Sequence, residues 1–252
     1  MNLLLFAEDE LRDGRLRLSG RRAGHIRTIL RLQPGDTLRL GMINGRRGEG
    51  RILRMSGQEV ELRVRLDHEP PPRPSLELIL ALPRPIMLQR ILKQATVMGV
   101  ARIHLVRASR VEKSFFHTPV LRPEKIRSLL VEGLEQAMDT RLPGVEVHHR
   151  FRPFVEDVVP GLAGRRLLAH PGVRSGLADV FARRRADGEG ILLAVGPEGG
   201  WSDYEVERFR EQGFAAFSMG PRILHVDTAV VALLAQLQLL DDLEKRYDLE
   251  KR

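Results

Sequence analysis

The sequence lacks cysteine, and this absence excludes several kinds of chemistry. Without thiols, the chain has no disulfide bonds, no cysteine nucleophile and no thiolate ligands for a metal. It also lacks any run of eighteen apolar residues, which predicts that no helix spans a membrane. The opening stretch MNLLLFAEDELRD has no basic segment and turns acidic at once, unlike a signal peptide. We therefore expect a cytoplasmic protein.

Motifs of several common enzymes are also missing. The chain has neither the G-x-x-x-x-G-K-[ST] loop for nucleotide phosphates nor the G-x-G-x-x-G dinucleotide fingerprint. It has no G-x-S-x-G elbow to support hydrolysis by a Ser-His-Asp triad. His148, His149 and His170 do not stand at zinc-binding spacing with a carboxylate, so we expect no bound metal.

Charge gives the first positive indication of function. The chain has 41 Lys+Arg against 33 Asp+Glu, a formal net charge of +8. Residues 1–72 hold 14 of the basic and 10 of the acidic side chains, so this part is more densely basic than the rest. Arginine far outnumbers lysine, and its guanidinium group binds phosphate bidentately and stacks on bases. Charge alone favours a nucleic-acid partner only a little over a basic soluble surface.

The proline-rich stretch HEPPPRP at 68–74 predicts a domain boundary, because it cannot continue a helix or a central strand. A helix is predicted before it, at 24–31. Three further segments of this part alternate apolar and polar residues, a pattern typical of a small antiparallel sheet or barrel: 37–42, 50–55 and 59–66. We therefore expect a β-barrel domain at 1–72.

The chain after the boundary alternates strand and helix patterns, which predicts a mostly parallel α/β sheet in a second domain at 75–252. Apolar runs mark its strands at 76–82, 102–106, 145–149, 165–170, 190–195 and 214–219. Apolar residues at helical spacing mark helices at 84–98 and 122–138. Gly99 stands where a glycine commonly ends a helix. The arginine run at 183–185 is expected to lie on a solvated helix face.

The stretch ILLAVGPEGGWSDYE at 191–205 combines a buried strand, a glycine loop and a helix start. Ser202 is a good N-cap, and Glu205 three residues later completes a capping box. The loop Gly196–Gly200 therefore follows the carboxyl end of a central strand, where open α/β sheets bind ligands. The plainer alternative is that Gly199 and Gly200 only permit a tight turn.

The ligand at this loop is not expected to be a phosphate. No lysine follows the glycines, Glu198 would repel a pyrophosphate, and Ser202 already caps the helix N-terminus. A neutral or cationic ligand fits better.

A second glycine loop repeats this layout in FAAFSMGPRILHVDTAVVALLAQLQLL at 214–240. A strand leads into Met219-Gly220-Pro221, and Asp227 or Thr228 is expected to cap the helix that follows. This helix is apolar almost all round, which predicts burial in the core or against another subunit. Two consecutive strand ends with glycine loops can together form one pocket.

These two loops carry a resemblance to a known family. GPEGG followed by MGPRILHVDTA resembles the SPOUT class of RNA methyltransferases, in particular the 16S ribosomal RNA uridine-N3 methyltransferases. The resemblance extends over essentially the whole chain, through further segments at 25–36, 93–106, 134–146 and 169–171.

The resemblance implies a fold, a cofactor and partners. It implies an N-terminal PUA-like β-barrel that helps to hold RNA, followed by a SPOUT α/β domain with a C-terminal trefoil knot. The knot would form a pocket for S-adenosylmethionine. The substrate would be a uridine of 16S ribosomal RNA or of the small ribosomal subunit, methylated at N3. The family also works as a homodimer through the knot domain and the C-terminal helix.

The resemblance and the loop positions together give the expected site residues. Residues expected to bind the cofactor lie on or beside the strand ends: His170, Val195, Gly196, Pro197, Glu198, Gly199, Gly200, Met219, Gly220, Ile223, Leu224, Val226, Thr228 and Ala229. Arg222 is the candidate for stabilising a uracil anion. His225 is a second catalytic candidate, as a cation or a base, or else an exposed loop histidine. Glu198 either attracts the sulfonium or fixes the loop through backbone N–H groups, and we favour the second role.

Three segments depart from the family pattern where RNA should meet the enzyme: 109–114, 137–140 and 225–227. Two alternatives stay open, and these departures motivate the first. One is a methyltransferase of this fold acting on another RNA nucleotide. The other is a non-catalytic RNA-binding or ribosome-assembly protein, against which the two intact glycine loops argue.

Overall fold

The protein is described by a computed structural model covering residues 2–181 and 189–249, with side chains of the last helix described to residue 244. The arginine run at 183–185 lies outside the described residues. The chain forms two compact units. The first consists of Met1–Arg73 and Leu130–Leu142, and the second of Pro74–Leu129 and Pro143–Arg252.

The first unit contains a six-stranded sheet in the order β1-β4-β5-β6-β3-β2, antiparallel except where β1 runs parallel to β4. Its elements are β1 (Leu4–Phe6), β2 (Leu11–Arg12), β3 (Arg15–Leu18), α1 (Gly20–Thr28), β4 (Thr37–Met42), β5 (Arg47–Ser56) and β6 (Glu59–His68). Alternate residues of β3, β5 and β6 point into an apolar core with Ile26 of α1. The three predicted strands are confirmed, whereas α1 begins and ends earlier than predicted.

The segment Leu130–Leu142 corrects the domain boundaries expected from the sequence, which placed it in the second domain. Leu134 packs in a buried cluster with Leu3 and Leu5. The carboxylate of Glu135 accepts a hydrogen bond from the Leu5 N–H at 3.2 Å, and its backbone carbonyl accepts from the Leu3 N–H at 3.1 Å. These partners lie about 130 positions apart in the sequence, so no local pattern could reveal them.

The second unit is built on a parallel sheet in the order β12-β10-β11-β7-β8-β9. Its strands are β7 (Leu76–Ala81), β8 (Arg102–Val106), β9 (Gly144–His148), β10 (Arg165–Ala169), β11 (Ile191–Val195) and β12 (Ala215–Phe217). Every residue of β11 is buried, as expected for a central parallel strand. The predicted α/β class is therefore confirmed.

Seven α-helices accompany the sheets within the described residues: α1, α2 (Pro85–Val97), α3 (Pro123–Ala137), α4 (Phe151–Pro153), α5 (Leu177–Val180), α6 (Asp203–Glu211) and α7 (Val226–Leu249). Gly99 has a φ of +72°, as the predicted helix end requires. The expected cap of α7 is wrong, because Asp227 and Thr228 lie inside its first turn. The carbonyl of His225 accepts the first helical hydrogen bond, from the Ala229 N–H.

The helix α7 is less buried than its sequence suggests. Val230, Leu233, Leu234 and Leu237 are buried, but Leu239 and Leu243 are 60% and 52% exposed. None of the described helices has the length and apolar character to cross a membrane. The trefoil knot stays a prediction of the family resemblance.

Candidate functional site

The second unit has a cavity at the carboxyl ends of β10, β11 and β12, with a volume of about 130 Å³ and an open side. The turn after β10 and the two glycine loops form its walls, and the start of α7 closes one side. The site thus lies where a parallel sheet exposes its strand ends, as the loop positions predicted.

The cavity brings together most of the residues expected at the site. The expected residues that line it are His170, Val195, Gly196, Pro197, Glu198, Gly200, Met219, Gly220, Arg222, Ile223, Leu224, Val226 and Ala229. Three expected residues, Gly199, Thr228 and His225, do not line it. His225 is exposed and precedes α7, and Thr228 lies in the first turn of that helix.

Six further lining residues were not expected: Ala169, Pro171, Trp201, Phe217, Ser218 and Leu233. Ala169 and Phe217 are the last residues of β10 and β12, so the strand-end argument could have found them. Trp201 and Leu233 are buried apolar residues, at 2% and 1% exposure, and their sequence patterns indicated packing rather than a site.

Each glycine of the first loop has its own structural reason. A Cβ on Gly196 would lie 3.2 Å from the indole ring of Trp201, so glycine permits that ring to pack closely. Gly200 has a φ of +72°, a conformation that favours glycine. A Cβ on Gly199 would lie 3.2 Å from the Arg110 side chain rather than in the cavity. Glycine at this position therefore makes room for Arg110, and the expected contact of Gly199 with the cofactor stays a prediction.

Arg110 forms hydrogen bonds to the first glycine loop and does not itself line the cavity. Its guanidinium group donates to the carbonyl of Gly199 at 2.5 Å and to that of Trp201 at 3.4 Å. Arg110 was noted in the sequence only as part of a segment expected to meet RNA. The structure shows that this residue also fixes the position of the loop backbone.

The capping box at the start of α6 is confirmed and extends further than predicted. The carboxylate of Glu205 accepts hydrogen bonds from the Ser202 N–H at 2.8 Å and from the Ser109 N–H at 2.6 Å. Glu205 is only 2% exposed, so these bonds lie in the interior. One buried carboxylate therefore joins the segment after β8 to the end of the glycine loop.

Glu198 makes a contact of the kind favoured from the sequence. Its carboxylate accepts a hydrogen bond from the backbone N–H of Arg84 at 3.3 Å, at the N-cap of α2. A carboxylate at this place satisfies one free donor and interacts favourably with the helix dipole. The bond supports a loop-fixing role for Glu198.

Two buried polar atoms in the cavity wall have no hydrogen-bond partner among the described residues, Nε1 of Trp201 and Nδ1 of His170. Burial lowers the pKa of His170, and the positive charge of Arg210 lowers it further. His170 is therefore neutral at pH 7 and can offer an uncharged polar edge. A mostly apolar cavity with these free polar atoms fits a nucleoside joined through sulfur to a methionine chain, as in S-adenosylmethionine.

Comparison with known families and structures defines the class of protein. An "RNA methyltransferase domain" family matches residues 69–238, and an "RNA methyltransferase PUA domain" family matches residues 18–65. A Legionella pneumophila methyltransferase in complex with the bound cofactor SAM matches with a TM-score of 0.78 at 21% identity, over 94% of this chain and 97% of that chain. The chain therefore has the domains of an RNA methyltransferase with a PUA domain.

Similar proteins identify the particular family of RNA methyltransferases to which the chain belongs. The ribosomal RNA small subunit methyltransferase E of Treponema pallidum is 33% identical over 93% of this chain and 90% of its own length. The protein of that name from Neisseria gonorrhoeae, solved bound to S-adenosyl methionine, has a TM-score of 0.77 at 22% identity, over 94% of this chain and 98% of its own. The chain belongs to the ribosomal RNA small subunit methyltransferase E family.

Proposed function

We propose that this enzyme transfers a methyl group from S-adenosylmethionine to N3 of a uridine in 16S ribosomal RNA. The observation that carries the proposal is the cavity formed by both glycine loops at the strand ends, with Arg222 exposed on its wall. Membership of the ribosomal RNA methyltransferase E family supports the rRNA substrate. The uridine and its N3 position rest on the resemblance of the two loops.

S-adenosylmethionine supplies an electrophilic methyl group on a sulfonium. The cavity residues would hold its adenosine and methionine parts, through backbone groups near Gly196–Gly200 and Met219–Ala229 and the free atoms of His170 and Trp201. Arg110 and Glu198 form hydrogen bonds that hold the loop backbone in place before the ligand binds. Binding therefore costs less conformational entropy.

Methyl transfer to uracil N3 forms the N–CH₃ bond, breaks the S–CH₃ bond and releases the N3 proton. The enzyme's task is to align donor and acceptor and to stabilise negative charge on the uracil carbonyls. Arg222 can supply the compensating positive charge, because this residue lines the cavity and is exposed. His225 is exposed beside α7, so RNA can reach it, and it stays the second catalytic candidate.

The test is to map the methyl group on RNA. Unmodified 16S rRNA and small subunits are incubated with the protein and S-adenosylmethionine, and nuclease fragments are analysed by mass spectrometry. The proposal predicts one added methyl on one uridine, at a position that blocks reverse transcription because N3 lies on the pairing edge. A methyl on another nucleotide would favour the related-methyltransferase alternative. RNA binding without methylation would favour the assembly-protein alternative.

Two of the segments that depart from the family pattern have contacts within the protein, and these contacts offer a structural reason for the departures. The departure at 109–114 includes Ser109 and Arg110, which contact the glycine loop and the α6 cap. The departure at 137–140 includes Thr140, whose hydroxyl donates to the Gly45 carbonyl at 2.7 Å within the first unit. Both segments therefore have structural partners that can account for their residues without a different substrate.

A homodimer and a cytoplasmic location complete the proposal. Exposed apolar side chains on α7, Leu239 and Leu243, support burial against a second copy, since monomers rarely leave such residues clustered in water. Sedimentation of the protein tests this, with the double variant Leu239→Glu, Leu243→Glu expected to sediment as a monomer. A wild-type protein that is monomeric at tens of micromolar would contradict the dimer. The cytoplasm is where the proposed rRNA substrate is found.

A further inference from the structure

Four ionisable side chains meet on one face of the sheet in the second unit, and none of them lines the cofactor cavity. They come from three adjacent strands: Glu77 from β7, His104 from β8, and Glu146 and His148 from β9. The register places His104 directly opposite Glu146, and His148 two residues further on faces the same side. Parallel pairing thus gathers residues from three distant parts of the sequence.

Three of these side chains have the geometry of a metal-binding set. Nδ1 of His104 lies 3.1 Å from Nε2 of His148, and Oε2 of Glu146 lies 3.9 Å and 3.8 Å from these two nitrogens. A point at equal distance from the three atoms is about 2.1 Å from each, which matches zinc–nitrogen and zinc–oxygen bond lengths. No side chain has to move far for an ion to be bound.

The groups around the three atoms also suit a metal site. His104 is 1% exposed, and its second nitrogen, Nε2, lies 3.1 Å from a carboxylate oxygen of Glu77. A carboxylate on the far nitrogen of a histidine orients the ring and leaves the near nitrogen free for a metal. The ring of Phe154 packs over His148 with centroids 4.4 Å apart, which excludes water from one side.

Arg102 is the one cation in contact with the cluster among the described residues. Its guanidinium group contacts Oε1 of Glu146 and lies 3.9 Å from the Glu77 carboxylate. Oε2 of Glu146 is left facing the histidines. With two carboxylates and one guanidinium, the cluster has a formal charge of −1 when its histidines are neutral, which favours a divalent cation.

We propose that His104, His148 and Glu146 bind one zinc ion, with a water molecule as the fourth ligand. Two imidazoles and one carboxylate suit zinc and neighbouring transition metals better than magnesium or calcium, which prefer oxygen ligands. The ion ties β9 to β8. In the described residues β9 is the last strand of the sheet, so it is hydrogen-bonded on one side alone. The role assigned to the ion is structural and independent of the methyl-transfer proposal.

A zinc site at this place differs from the expectation that the protein binds no metal. That expectation rested on the spacing of histidines and carboxylates along the sequence, and the structure shows that spacing to be a poor guide for His148. The sequence showed no carboxylate at zinc spacing from His148, His149 or His170. The structure brings His148 together with Glu146 on the same strand and with His104, which lies 44 residues earlier. Only the pairing of β8 with β9 creates the set.

The test is metal binding by the full chain without an affinity tag. The protein is treated with a chelator, dialysed, and titrated with Co²⁺ and then Zn²⁺ while absorption and heat are recorded. We expect one equivalent of Co²⁺ to give the visible bands of a four-coordinate ion and Zn²⁺ to displace it. Zinc should also raise the melting temperature, because it binds only the folded site.

Matched variants separate this site from adventitious binding. His148→Gln and Glu146→Gln should each weaken zinc binding more than about 100-fold, and Glu77→Gln about 10–100-fold. His149→Gln is the control, because His149 is exposed and contacts the ring of Phe116 instead of the cluster. His148 and Glu146 are the more accessible ligands, so their variants keep the test valid if a change at buried His104 prevents folding.

Two results would overturn the proposal. One is the absence of saturable zinc binding by the chelator-treated wild type at micromolar concentrations. The other is equal zinc affinity in the wild type and in His148→Gln. Either result would mean that His104 and His148 share a proton in a plain hydrogen bond, held at its other end by Glu77.

Discussion

At the scale of single residues, the glycine loop shows that neighbouring glycines can serve different purposes. Gly196 makes room for Trp201, Gly199 makes room for Arg110, and Gly200 supplies a positive φ on the cavity wall. Within this loop, Gly200 is the glycine that combines a positive φ with a place in the cavity wall. Its substitution should therefore affect ligand binding and stability together.

We predict that Gly200→Ala lowers the free energy of unfolding by about 1–2 kcal/mol, because alanine is strained at positive φ. It should also weaken binding of S-adenosylhomocysteine, measured by calorimetry. Gly213→Ala is the matched control, since Gly213 has a φ of +78° and open space around its Cα but does not line the cavity. Equal affinity of the two variants for the ligand would contradict this account of the loop.

Arg222 is predicted to act on the transition state rather than on the cofactor. Arg222→Gln should reduce the methyl-transfer rate by about 100-fold or more, the usual effect of losing a group that stabilises developing negative charge. Affinity for S-adenosylhomocysteine should change little. Arg222→Lys should recover part of the rate because it restores a positive charge. A similar loss of ligand affinity and of rate in Arg222→Gln would instead assign Arg222 to cofactor binding.

At the scale of elements, the start of α6 holds the loop to the rest of the second unit. Glu205→Ala leaves the N–H groups of Ser109 and Ser202 without their buried acceptor. The expected loss is about 2–4 kcal/mol of unfolding free energy, from two unsatisfied donors. Glu207→Ala on the exposed side of the same helix should change stability by less than about 0.5 kcal/mol. Denaturant titration of both variants measures the difference, and similar losses would refute the bracing role.

The segment around Glu135 predicts a pH effect within the first unit. Burial raises the pKa of Glu135 above its ordinary value of 4.5, although the Leu5 N–H bond and Arg21 oppose the rise. The folded state therefore holds this proton more tightly than the unfolded state. The contribution of Glu135 is fully present below pH 4.5 and is lost as pH rises through the raised value.

Glu135→Gln keeps an acceptor for Leu5 but has no charge to bury. Relative to this variant, the wild type should lose stability as pH rises from 4 towards neutrality, as measured by thermal unfolding at each pH. A difference between the two proteins that is constant over this range would contradict the assigned cause.

At the scale of the whole molecule, local patterns predicted most of the elements and the place of the site. Strand β8 at 102–106, the Ser202–Glu205 capping box and the two glycine loops at strand ends all follow from neighbouring residues, and the structure confirms them. These features need only periodicity and turn chemistry, which act over a few residues.

Contacts between distant residues could not be predicted in this way. The Arg110 brace reaches 89 residues along the chain, and Leu130–Leu142 joins the first unit through partners about 130 residues away. The pair His104 and His148 likewise depends on which strands are neighbours. Such contacts depend on the order of the strands in the sheet, and local patterns in a single sequence do not reveal that order.

The most direct test of the central claim uses the only tryptophan of the chain, Trp201, which lies in the cavity wall. S-adenosylhomocysteine is titrated into the wild-type protein while tryptophan fluorescence is followed. We predict a saturable change with one site per chain, because a ligand in the cavity must alter the surroundings of this indole. Absence of any change up to millimolar ligand, with no heat of binding in a parallel titration, would contradict the claim that the cavity holds the methyl donor.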